Sequence, residues 1–90
     1  MSRYTKQVDN LLFAWGYDEP LQEYFFSCED LNLEEDELIF SIANHITIKP
    51  HPSFPDRYNY SNSEILEVME MYGDVVPEEH RMAIVNDLKF

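Results

Sequence analysis

Three prolines within the fourteen residues 47–60, TIKPHPSFPDRYNY, constrain this chain more than any other feature. Pro50, Pro52 and Pro55 each lack a backbone N–H and hold φ near about −65°, which bars the segment from a helix interior and from a central strand. It must be a loop, with at most one short turn of helix, and regular structure has to lie on either side of it.

Downstream the signals are helical. Ser61 and Glu64 have the spacing of a capping box ahead of Ile65, Val68, Met69 and Tyr72, and Gly73 stands where a helix would stop. A last element is expected from Pro77, carrying Ile84, Val85 and Leu88. Upstream, Val8, Leu11, Leu12 and Trp15 recur at helical spacing before Gly16, predicting a helix over residues 3–15. Asp18 as cap, Pro20 in the first turn and the stripe Leu21, Tyr24, Phe25, Cys28 predict a second over 19–29. Between 32 and 48 two templates compete. Leu38, Ile39, Ile42, Ala43 and Ile46 make a helical stripe, while Leu38, Phe40, Ile42, Ile46 and Ile48 alternate as a strand does. Asn32 as a cap and the acids Glu34, Glu35, Asp36 and Glu37, favourable at the positive end of a helix dipole, weigh toward helix. The expected fold is therefore an all-α compact bundle of four to five short helices with a proline- and aromatic-rich loop. The alternative is α+β, with a strand at about 37–48.

Ninety residues without repeat, linker or low-complexity tract suit a single domain over 1–90. Eighteen acidic against six basic residues give a formal charge of −12, which repels nucleic acid, whose phosphates need Lys and Arg. The same charge steers the chain toward cationic partners. No Lys or Arg occurs from Val8 to Ile48, where ten of the carboxylates lie, so a one-signed face is expected if the fold gathers that stretch. A single cysteine, Cys28, excludes an internal disulfide and suits a reducing compartment. The first ten residues lack a signal-peptide core, and no apolar run reaches membrane-spanning length. The expectation is a cytoplasmic protein with no membrane segment.

Little points to catalysis. His45, His51, His80 and Cys28 are the soft metal-ligand candidates, and they lack paired zinc-type spacing. Cys28 on an apolar stripe reads as an inert core thiol and not a nucleophile. Gly16 and Gly73 are expected at helix ends and do not form a phosphate-cradling loop. With so many carboxylates, acid pairs arise by chance. No enzyme activity, metal or cofactor is expected. Two features stand out instead: the acidic run at Glu34–Glu37, and Phe54, Tyr58 and Tyr60 crowded among prolines. Tyrosines on a stiff loop are good binding anchors, although the same rings can close over a small core.

His51-Pro52-Ser53, followed by Asp56 and Tyr60, resembles the HPSxxD…YY loop of the colicin and pyocin nuclease immunity proteins. Glu35 to Leu38, Ile39 and Ile42 are similar to that family's acidic-then-aliphatic second helix, Cys28 to its first-helix cysteine, and Ser61 to Gly73, with Ile65, Leu66 and Tyr72, to its last helix. The similarity spans roughly residues 19–73. Asn59 replaces the first tyrosine of the pair, Ile46 stands where an acid is common, the link to the last helix is shorter, and the two termini have no counterpart. The resemblance implies a four-helix protein that sits beside a nuclease active site and blocks substrate with its charge. Glu35, Leu38, Ile39 and Ile42 would then set specificity, with Asp56 and Tyr60 supplying shared binding energy and Tyr58 beside them on the loop. The partner expected is a basic protein, a nuclease or other nucleic-acid-binding enzyme. Other readings are a phage-type DNA mimic that blocks a restriction or CRISPR system, and an adaptor or structural module without inhibitory action.

Overall fold

Val8 and Leu11 face each other across a two-residue turn, Asp9-Asn10, with Asp9 at φ 54°. Polar residues that tolerate positive φ are what a two-residue hairpin demands, because its twist must match that of the strands. The turn joins β1 (Tyr4–Val8) to β2 (Leu11–Asp18). A second turn at residues 19–22 carries Pro20 at its second position and closes with Gln22 N–H donating to Glu19 O at 3.2 Å. It leads into β3 (Glu23–Asp30), and β4 (Leu38–Ala43) completes a four-stranded antiparallel meander in the order β1-β2-β3-β4. Two helices follow, α1 (Asn62–Glu70) and α2 (Glu78–Val85). The computed structural model describes residues 3–32 and 38–90.

The fold is α+β, and the expected all-α bundle is overturned. The predicted helix over 3–15 is the β1–β2 hairpin, the one over 19–29 is a turn and β3, and residues 38–43 form a strand, as in the α+β alternative. Period two is the governing signal. Phe13, Trp15 and Tyr17, then Tyr24, Phe26 and Cys28, then Phe40 and Ile42, are alternate residues, rich in the aromatic types that fit a pleated, half-buried surface.

Register places these side chains on one face. Tyr4, Trp15, Phe26 and Ile42 form one cross-strand row and Lys6, Phe13, Cys28 and Phe40 the next. The helices cover that face: Ile65, Val68 and Met69 of α1 and Ile84 of α2 are buried with the aromatic rows. Phe26 and Phe40 are fully buried with ring centroids 5.2 Å apart. Burial of each such side chain contributes roughly 1.5–3 kcal/mol, and a tilted aromatic pair adds about 0.5–1.5 kcal/mol.

The helical signals after the loop hold. Ser61 Oγ accepts from Glu64 N–H and Glu64 Oε1 accepts from Ser61 N–H, both at 3.2 Å, so the capping box is complete. Gly73, at φ +67°, ends the turn after α1. Gly16, by contrast, is no helix stop but lies within β2 opposite Phe25.

Cys28 points into the aromatic face, and burial, with Asp30 and Glu29 nearby, pushes its thiol up to about 11. Native protein at about pH 8 is expected to leave this thiol unreacted with a disulfide reagent until urea unfolds the chain. Rapid labelling without denaturant would show that β3 opens readily.

Candidate functional site

Among the described residues no helix covers the opposite face of the sheet. Its rows are Thr5, Ala14, Ser27, Ser41 and, next along, Gly16, Phe25, Ala43. Small side chains here leave the surface low. Beyond β4 the chain turns back, and Lys49 pairs with Ser41 on the strand's outer edge, Ser41 N–H donating to Lys49 O at 2.7 Å. This return stands Ile46 and Ile48 together beside the low floor, 65% and 74% exposed, so that the two make an apolar wall on this face. Between them and Phe25 lies a groove of about 250 Å³.

One end of the groove is charged. Asp18 and Glu23, paired across β2 and β3, line it together with Arg3. Glu23 is only 6% exposed, and its Oε2 accepts from His45 N–H at 3.1 Å. Among the described residues the carboxylate has no ion-pair partner; the ion pairs seen are Arg57–Glu64 and Lys89–Glu19. No histidine or cysteine lines the groove, and among the described residues no cluster of His, Cys, Asp and Glu could hold a metal. What the site offers is an apolar wall, hydroxyls from Ser27 and Ser41, and a negative end.

The expected contact residues do not gather into one surface. Glu35 lies outside the described residues, as does the rest of the acidic run 34–37. Leu38 and Ile39 are half-buried at the start of β4, where a register shift opposite Cys28 and Glu29 marks a bulge. Ile42 is buried in the core row with Phe26. Asp56 is exposed on the loop, Tyr58 is 80% exposed, and Tyr60 is buried at 2%. In this conformation Asp56 and Tyr58 stand open to a partner, Tyr60 is enclosed, and Ile42 meets the surface only where it lines the groove.

The HPS string has a packing explanation. His51 is buried, and its Nδ1 accepts from Ser53 N–H at 3.1 Å, which leaves Nε2 to donate to the Tyr72 hydroxyl at 2.8 Å. Phe54 N–H donates to His51 O at 2.8 Å, closing the turn, and His51 N–H donates to the Tyr60 hydroxyl at 3.1 Å. The loop is thus pinned to the core through one imidazole and one phenol.

Burial lowers the His51 pKa from its ordinary 6.5. The unfolded chain then takes up its proton at a higher pH than the folded one, so stability held above pH 6.5 is lost as pH falls through the folded value. Thermal melts of wild type and His51→Gln, compared from pH 8 to pH 5, are expected to diverge least at the acid end. A constant difference across that range would show that His51 does not titrate.

No protein-family model, curated protein or solved structure matches this chain. The four-helix frame implied by the resemblance to the nuclease immunity proteins is not the fold seen, and the segment compared with their specificity helix is in part strand β4.

Proposed function

We propose that this protein is a non-catalytic, acidic binding protein that docks on the basic surface of a partner protein and blocks it, the partner being a nuclease or another nucleic-acid-binding enzyme. The observation that carries the reading is a charge of −12 on a domain whose sheet keeps one face open, with exposed isoleucines and a carboxylate-lined groove. Charge supplies attraction at a distance and the apolar patch supplies contact on arrival, the division of labour found in steered complexes. Among the described residues no helix is long and apolar enough to cross a membrane. A reducing, cytoplasmic setting fits the buried free thiol of Cys28.

A second reading has one specific observation behind it. On the helical layer, Glu67, Glu70, Asp74, Glu78 and Glu79 are all exposed, and none is in an ion pair among the described residues. Glu67 and Glu70, three residues apart on α1, have Cβ atoms about 5–6 Å from one another, and with the acids of the following turn and of α2 they concentrate negative charge on this layer, as a DNA mimic would.

The reading is tested by immobilising the protein, capturing partners from its native host at low salt and assaying each captured enzyme with equimolar protein added. A basic nucleic-acid enzyme whose activity falls supports it. Capture of acidic proteins, or of an enzyme left fully active, overturns it. Loss of inhibition on replacing Glu67, Glu70 and Asp74 together with glutamine would select the mimic reading.

A further inference from the structure

We infer that the groove on the open face receives a single arginine or lysine side chain, presented by a basic and extended segment of the partner protein. The inference rests on the docking reading above and specifies its centre. Size is the first argument. About 250 Å³ falls below the roughly 300–1,000 Å³ typical of small-molecule pockets, and a groove of this size takes one long side chain.

Chemistry is the second. Phe25, Ile46 and Ile48 form apolar walls against which the methylenes of a long cationic side chain can lie, as such stems do on apolar surface. The charged head then reaches Glu23 and Asp18. Glu23 is the telling residue, because a carboxylate only 6% exposed, held by one backbone N–H and without a cation among the described residues, gains most from a charged donor. Arg3, one of only six basic residues in the chain, stands at this same groove, so the site already tolerates a guanidinium nearby. A neutral apolar occupant would bury Glu23 further without pairing it, which is costly. A second copy of this chain would bring another −12 toward the first and is disfavoured by the same charge that attracts a basic partner.

The test is an NMR titration of isotope-labelled protein at about 0.02 M salt, where screening is weak. The probes are two blocked pentapeptides, Thr-Val-Arg-Val-Thr and the same peptide with citrulline, its uncharged isostere, in place of arginine. The arginine peptide is expected to shift the amides of Phe25, Ser27, Ser41 and Ile48 saturably and to bind about tenfold more tightly than the citrulline peptide, as one charge-assisted contact should. Glu23→Gln keeps an acceptor for His45 N–H and should remove that tenfold preference. Ile48→Arg, at a position too exposed to affect folding, should fill the groove with its own cation and abolish the response. Shifts confined to α1 and α2, unchanged by Glu23→Gln, would overturn the groove assignment and leave charge-driven docking standing. Silence toward both peptides also overturns it, and takes the docking reading with it only if no basic partner is captured either.

Discussion

Tyr60→Ala is expected to lower the free energy of unfolding by about 3–5 kcal/mol, the range for removing a large aromatic from a packed core. Domains of this size are stable by only about 5–15 kcal/mol in total, so the variant should be partly unfolded or close to it at ambient temperature. Two losses add here. The ring is buried against Phe54, at a centroid distance of 6.0 Å, and the hydroxyl accepts the buried His51 N–H. Tyr60→Phe separates them: it keeps the ring and is expected to cost about 1–3 kcal/mol, the penalty for a buried donor left without its acceptor. Tyr58→Ala is the control, since an 80% exposed side chain should change stability by no more than about 0.5 kcal/mol. Urea unfolding followed by tryptophan fluorescence measures all three. A Tyr60→Ala midpoint equal to wild type would mean that the loop does not hold the core.

Association with a basic partner is expected to slow by about one to two orders of magnitude as ionic strength rises from about 0.01 M to about 0.15 M. Over that interval the Debye length contracts from about 30 Å to about 8 Å. The molecule measures 37 × 26 × 24 Å, so at low salt its carboxylates attract a partner together, and at higher salt only those near the contact do. Stopped-flow mixing at a series of salt concentrations reads the effect directly. An on-rate flat across the series would remove charge from the account of binding.

Some of this architecture could be read from the residues and some could not, for identifiable reasons. Capping chemistry is local: Ser61, Glu64 and Gly73 act within a few residues of themselves, and those expectations match the structure. The proline-rich loop was legible for the same reason. The first half was misread because Val8, Leu11, Leu12 and Trp15 satisfy a helical spacing while lying on both sides of the Asp9-Asn10 turn. Likewise Tyr24 and Phe25, neighbours on a helical stripe, point to opposite faces of β3. In each case tertiary pairing of alternate aromatics prevails over a pattern that local periodicity alone permits. The groove was illegible in principle. Arg3, Asp18, Phe25, Ser41 and Ile48 meet only once the strand register is set, and no spacing along the chain announces that.

The meander also orders the events of folding. Every strand pairs with its neighbour in the chain, so the sheet can zip outward from a two-residue hairpin with little loop-closure entropy to overcome. Its cover comes last. The final strand ends at Ala43, whereas Ile65, Val68, Met69 and Ile84 belong to later segments. On a growing polypeptide, produced at about 5–20 residues per second, Phe13, Trp15, Phe26 and Phe40 face water for a few seconds before their lid is made. The vulnerable species is thus a chain whose sheet has formed while its helices have not yet docked, with the aromatic rows of the covered face in water.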